Sequence, residues 1–402
     1  MSIASRPRPA SLGEDIEIKG HNMTETIIHG EAQDRFDGIR NLMAANVDSG
    51  ADTGLSFTAT IEGETVVDLW GGWADAEKTR PWERDTIANV YSTTKTMTAL
   101  TALLVADRGD LDFDKPVAHY WPEFAQAGKE KITVAHLMSH ASGLSGWEEP
   151  LQGKDLYDWD KATSLLAAQA PWWEPGTLPG YHAITQGYLV GEVVRRVTGK
   201  SLGTVFREEI AEPLDADFHI GLPVEHDHRV ADLIPPETGV GEGDFSNDIQ
   251  RKTFTNPVID PLVTRTREWR GAEIPAAGGT GNARSVAEIH ALLANGGVAK
   301  GKRILSEEGC RKALEPQIEG NDLVLMDLPI KYGMGFGLPG EMIPLPNPNT
   351  IFWGGYGGSL IVIDMDARAT FSYVMNKMNN GLTGDTRSFS LLVAMWGAMA
   401  AG

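Results

Sequence analysis

The run Ser359-Leu360-Ile361-Val362-Ile363-Asp364, the joint Met365-Asp366-Ala367-Arg368 and the run Thr370-Phe371-Ser372-Tyr373-Val374-Met375 decide the architecture. Both runs are rich in β-branched and aromatic residues, and a short polar joint links them, so the stretch reads as a β-hairpin. Asp364 and Asp366 flank its turn and are expected to be solvated. A second hairpin lies near the other end of the chain. There Leu55-Ser56-Phe57-Thr58-Ala59-Thr60-Ile61 meets Glu62-Gly63-Glu64 and returns as Thr65-Val66-Val67-Asp68-Leu69-Trp70-Gly71-Gly72. Between them, from about 110 to 265, strand signals are scarce, and helical patterns at 137–142, 159–170, 185–198 and 201–210 are broken by Pro- and Gly-rich loops.

Strands at both ends with helices between them imply an α/β (α+β) chain. One antiparallel sheet is built from the N- and C-terminal segments and flanked by helices, with a mostly helical domain inserted. The expected division is a polar tail over 1–30, an α/β domain from 31–108 and 270–402, and a helical insert over 109–269. The cleft between the last two is the default place for a site. Phe36, Ile39, Leu42 and Met43 mark a first amphipathic helix. A helix over 92–108 carries Met97, Leu100, Leu103 and Leu104 on one stripe and stops at Gly109. Another over 287–295 ends in Gly296-Gly297, and the apolar run 391–401 reads as a C-terminal helix docked on the sheet.

The 402 residues include 35 Lys plus Arg against 55 Asp plus Glu, a formal charge of −20. Such a surface repels nucleic acid and anionic membrane, which leaves a small molecule as the expected partner and no nucleic acid or membrane among them. The single cysteine, Cys310, permits no internal disulfide, and the neighbouring Glu307 and Glu308 would raise its pKa, so it reads as a bystander. The first residues carry two Arg and two Pro with no apolar run, and the longest apolar stretch is about half of a membrane span, so a cytoplasmic location is expected.

Three short patterns can carry chemistry. Ser92-Thr93-Thr94-Lys95 opens the striped helix. Lys95 lies three residues after Ser92, one turn on and on the same face, where a partly desolvated amine can take the serine proton. The bland reading of the tetrapeptide is a helix cap beside a solvated Lys. Tyr181, in Gly180-Tyr181-His182-Ala183, stands at a loop-to-helix junction, as proton shuttle or as packing. Trp353-Gly354-Gly355-Tyr356-Gly357-Gly358-Ser359 enters a strand with four glycines, so its backbone can approach a substrate closely or simply form a bare hairpin.

In that order, with Tyr181 after the Pro175-Gly176 turn, these patterns resemble the serine β-lactamase and penicillin-binding-protein superfamily. Within it the chain is most similar to the class C β-lactamase-like branch and its family VIII carboxylesterases. Leu137-Met138-Ser139-His140-Ala141-Ser142-Gly143-Leu144 and the stretch from Trp173-Glu174-Pro175-Gly176 to Thr198-Gly199-Lys200-Ser201 match further segments of that branch. The resemblance runs from about residue 35 to the C-terminus. It implies an acylated nucleophile at Ser92, a proton acceptor at Lys95 and a proton relay at Tyr181. It also implies an oxyanion hole from the backbone N–H groups of Ser92 and Tyr356. No cofactor and no metal are implied.

The departures bear on substrate. The lactamase Tyr-x-Asn is here Tyr181-His182-Ala183, and the lactamase Lys-Thr-Gly is Trp353-Gly354-Gly355. An indole carries no charge and makes an apolar wall. Trp353, Gly354, Gly355, His182 and Trp173 are therefore expected to bind a neutral substrate, and hydrolysis of short-chain carboxylic esters through an acyl-enzyme is the activity implied. Amide or short-peptide hydrolysis and weak β-lactamase activity are enzymatic alternatives, and a silent binding scaffold is the non-enzymatic one. Gly199-Lys200-Ser201-Leu202-Gly203 has the spacing of a nucleophile elbow but follows a helix instead of a strand. His136 and His140 have a zinc-helix spacing without the adjoining Glu.

Overall fold

The computed structural model describes residues 26–239, 244–341, 343–382 and 384–401. Its centre is a six-stranded antiparallel sheet. The chain enters through β1 (Ile28–Ala32), passes helix α1 (Gly38–Asp48), and forms the hairpin β2 (Gly54–Ile61) and β3 (Glu64–Gly72). It leaves toward helix α2 (Thr94–Asp107) and runs through α3 (Val134–Met138), α4 (Trp159–Ala168) and α5 (Thr185–Thr198). It then returns through α6 (Ala283–Ala294) to β4 (Thr350–Gly354), β5 (Leu360–Asp364), β6 (Ala369–Met375) and α7 (Thr386–Ala401). The strand order is β1-β3-β2-β6-β5-β4, so the last strand of the chain lies in the middle of the sheet, beside the second.

Both expected hairpins are present within a residue of their sequence bounds, and α5 spans 185–198 as its periodicity indicates. Gly199, at φ +73°, ends α5 in the left-handed conformation that glycine adopts without a Cβ penalty. The sheet is covered on both faces. Thr370 points to α6 and donates to the Ala287 carbonyl at 3.1 Å, while Phe371 points the other way and packs against Trp396 of α7. Two covered faces explain why β2, β5 and β6 are buried almost throughout.

Four sequence expectations need correction. β1 begins at Ile28, inside the segment read as a polar tail, and pairs with β3; residues 1–25 of that segment lie outside those described. The pattern at 137–142 yields a helix that starts earlier and stops at Met138, with His140 at φ +60°. Helix α2 is not striped: its residues from Thr94 to Val105 are buried all round, and Thr96, Thr98 and Thr101 donate to backbone carbonyls, Thr98 to Pro275 at 2.6 Å, while Thr94 accepts the Gly279 N–H. Asp364 is fully buried rather than solvated, because it accepts from Asn347 and from the N–H groups of Asp366 and Ala367.

Candidate active site

Sheet and helices meet at the start of α2. A single 3-10 turn, Tyr91–Thr93, precedes the helix, and Tyr91 holds φ at +44°. A bulky residue rarely adopts that conformation, and here it stands directly before Ser92. Ser92 remains 8% exposed, at the bottom of a cleft and at the helix N-terminus, where backbone N–H groups lack an intrahelical acceptor.

Lys95 is fully buried one turn later. Its Nζ lies 3.0 Å from Ser92 Oγ, 2.7 Å from the Ala183 carbonyl and 2.9 Å from the Ala276 carbonyl. Those carbonyls occupy two of its hydrogens. No ion pair among the described residues involves it. Burial without a carboxylate holds its pKa well below the ordinary lysine value. A neutral Lys95 donates to both carbonyls and turns its lone pair toward the serine hydroxyl.

Tyr181 completes the group. Its hydroxyl makes a short hydrogen bond with Ser92 Oγ, and its ring lies 4.8 Å from Lys95 Nζ. Burial raises the phenol pKa, so it stays protonated and serves as a donor. The residue is held from behind by Asp322, a buried carboxylate unremarked in the sequence. One of its oxygens accepts the N–H groups of Tyr181, Val324 and Leu325 at 2.8–3.0 Å, and the other accepts the Tyr332 hydroxyl at 2.8 Å. Burial raises the Asp322 pKa against these bonds.

The glycine-rich loop after β4 closes the site. A Cβ at Gly355 would overlap the Val90 carbonyl, so glycine alone lets this backbone press against the serine turn. Ser359 fixes the contact: its Oγ donates to the Val90 carbonyl at 2.8 Å and pairs with Thr93 Oγ1 at 2.9 Å. Tyr356 packs edge-on against Tyr91 with centroids 5.4 Å apart, which places its backbone beside the serine turn. Arg387, at the start of α7, donates to the Gly357 carbonyl at 2.7 Å and is itself held by Asp52 and Asp385.

Two small apolar hollows flank Tyr181. One, of about 60 Å³, is lined by Ser92, Trp147, Ile184, Phe254 and Ile259; the other, of about 30 Å³, by Trp353, Gly354, Phe352, Tyr332 and Ile330. Trp353 stacks on His140 at 5.3 Å and forms the wall read from the sequence. His182 does not reach either hollow. It is fully buried, its Nδ1–H donates to the Gly180 carbonyl at 2.6 Å, and its Nε2 accepts from Ser142 at 2.7 Å. Burial lowers its pKa to about 3, so it stays neutral and structural. Trp173 is also outside both linings. It packs against Gly180 and His182 and donates to the Leu178 carbonyl at 3.0 Å. Both residues pack within the loop that carries Tyr181.

The remaining motifs have local duties. Ser201 caps a short helix, accepting from the Thr204 N–H, and donates to Glu273 at 2.6 Å. His136 caps α3 through Nδ1, whereas His140 faces Tyr181, Tyr332 and Trp353. Cys310 is buried, and burial beside Asp107 raises its thiol to about 12.

The sequence profile described as beta-lactamase matches residues 39–394. The esterase/beta-lactamase LipL of Mycobacterium tuberculosis is 34% identical over 370 residues, covering 87% of this chain and 83% of that protein. A solved structure of a family VIII carboxylesterase superposes with a TM-score of 0.88 at 42% identity, covering 92% of this chain and all of that one. A penicillin-binding-protein homologue from Caulobacter crescentus gives 0.86 at 38% identity, covering 93% and 100%.

Proposed function

The chain belongs to the beta-lactamase family and is a serine hydrolase acting on esters, and we propose that Ser92, Lys95 and Tyr181 cleave short-chain carboxylic esters through an acyl-enzyme. The observation that carries this assignment is Lys95 Nζ, buried without a counter-ion and 3.0 Å from Ser92 Oγ. A buried neutral amine is a base competent at neutral pH.

In acylation Lys95 takes the Ser92 proton as Oγ attacks the ester carbonyl. The tetrahedral oxyanion develops toward the backbone N–H groups of Ser92 and Tyr356, and each such donor is commonly worth about 2.7–4 kcal/mol. Tyr181 gives its proton to the departing alkoxide and recovers one from Lys95. In deacylation the pair takes a proton from water as hydroxide adds to the acyl carbon, and Ser92 leaves with its proton restored. The products are one carboxylic acid and one alcohol, and no cofactor is consumed.

The two hollows beside Tyr181 favour a small, neutral substrate. Ala183 supplies no amide to the first, and Trp353 supplies an uncharged wall to the second. The same reading divides the chain into a sheet unit, 28–108 with 270–402, once β1 is included, and a helical unit, 109–269, with the cleft between them. It also includes a cytoplasmic setting, which a chain with one cysteine and no internal disulfide supports. Among the described residues no helix is long and apolar enough to cross a membrane.

The test is Ser92→Ala. Hydrolysis of p-nitrophenyl butyrate is expected to vanish while the fold persists, and a fluorophosphonate adduct mapped by mass spectrometry is expected on Ser92. Retained turnover, or labelling at Ser201, would sink the assignment.

A further inference from the structure

Three successive backbone carbonyls end on side chains around the base. Ile274 to Gly278 form a single turn, in which the Ala277 and Gly278 N–H groups donate to the Ile274 carbonyl at 3.0 and 2.7 Å. The next three carbonyls of the turn each accept from a side chain: Pro275 from Thr98 at 2.6 Å, Ala276 from Lys95 at 2.9 Å and Ala277 from Asn89 at 3.0 Å. All three donors are buried. The carbonyl that serves Lys95 is thus pinned on both sides.

Thr98 differs from its neighbours in α2. Thr96 and Thr101 donate back along the chain to the carbonyls of Thr93 and Met97, the ordinary use of a hydroxyl inside a helix. Thr98, one turn after Lys95 and on the same face, crosses to Pro275 instead. Asn89 is fixed as well, because its Oδ1 accepts the Trp269 indole N–H at 2.7 Å and leaves Nδ2 for Ala277. Thr94 accepts the Gly279 N–H at 2.9 Å. At Gly187 of α5 a Cβ would lie 2.4 Å from the Ala276 nitrogen, so the turn is pressed between α2 and α5.

A neutral amine has two hydrogens and one lone pair. With the Ala183 and Ala276 carbonyls holding both hydrogens, the lone pair of Lys95 is left for Ser92 Oγ. An Ala276 carbonyl free to tilt releases one hydrogen toward Oγ, and the amine then donates to the serine instead of taking its proton. We propose that Thr98 is a positioning residue for the base: through Pro275 it fixes the Ala276 carbonyl, and thereby the direction of the Lys95 lone pair. The proposal rests on the reading of Lys95 as the base toward Ser92. Thr98 itself lines neither hollow beside Tyr181.

The experiment measures, on folded protein, kcat and KM for p-nitrophenyl butyrate and the rate at which a fluorophosphonate labels Ser92. Thr98→Val removes the hydroxyl and keeps the branched shape. Both kcat and the labelling rate are expected to fall about 10–100-fold, with KM held within about twofold. Thr98→Ser keeps the hydroxyl and is expected to restore both rates to within about threefold of the wild type. Wild-type rates in folded Thr98→Val, a change confined to KM, or a Thr98→Ser as slow as Thr98→Val each overturn the proposal. Should Thr98→Val not fold, Thr98→Cys takes its place, since its thiol is a weaker donor, and the same outcomes decide. A wild type that neither hydrolyses the butyrate nor labels at Ser92 overturns the reading of Ser92 and Lys95 themselves. A reactive wild type beside an equally reactive Thr98→Val overturns the role of Thr98 alone.

Discussion

Lys95 Nζ and Ser92 Oγ lie 3.0 Å apart in a setting with two carbonyl acceptors and no carboxylate. The carbonyls favour the ammonium and burial opposes it; burial is the larger influence and depresses the Lys95 pKa. The active form is the neutral one, so activity is lost as pH falls through the depressed pKa and is already present far below the ordinary lysine range. The pH profile of kcat/KM should show that acidic limb. Lys95→Met should abolish the limb and reduce kcat by about 10²–10⁴, whereas an unchanged limb would assign it to another group.

Tyr181→Phe removes one oxygen and leaves the ring over Lys95. Proton delivery to the alkoxide is then lost, and kcat should fall by about 10²–10⁴ while KM stays nearly constant. A change confined to KM would make Tyr181 a binding residue instead.

Asp322 collects three backbone N–H groups and a tyrosine hydroxyl. Asp322→Ala leaves those donors buried without an acceptor, so the chain should lose about 3–5 kcal/mol of stability. Chemical denaturation measures that loss. The kcat of the folded fraction should fall as well, because the Tyr181 backbone is released. Full activity in the folded fraction would confine Asp322 to stability.

Site and scaffold were not equally readable. Order and spacing single out Ser92, Lys95, Tyr181 and Trp353, which the fold brings to one place, and the hairpins and α5 declare themselves through period and turn residues. Asp322 does not. It sits in Gly320-Asn321-Asp322-Leu323, a stretch that reads as a solvated turn, and its burial is created by Tyr332 and the Tyr181 loop, which are remote in the chain. His182 and Trp173 pack in the loop that carries Tyr181, and neither lines the two hollows beside it.

Arg387 binds the glycine-rich loop to the scaffold through the Gly357 carbonyl, next to Tyr356. Arg387→Met would strand Asp52 and Asp385 without their shared cation, at a cost of about 3–5 kcal/mol. Thermal unfolding should report that loss. On the proposed mechanism turnover should fall with it, since the loop that carries the Tyr356 N–H is released from the scaffold. A variant that melts early yet turns over normally when folded would remove Arg387 from the reaction.

The last strand of the central sheet to leave the ribosome is third from an end of that sheet, with β2 on one side and β5 on the other. Thr93 and Ser359, which bind the serine turn to the glycine loop, are 266 residues apart. Contacts so distant along the chain close slowly and late. The nascent protein thus carries Ser92 through most of translation without the neighbours it has in the folded site. A chain terminated before β6 would lose a strand from the middle of the sheet and with it the frame of the site, so hydrolytic competence belongs only to the finished polypeptide.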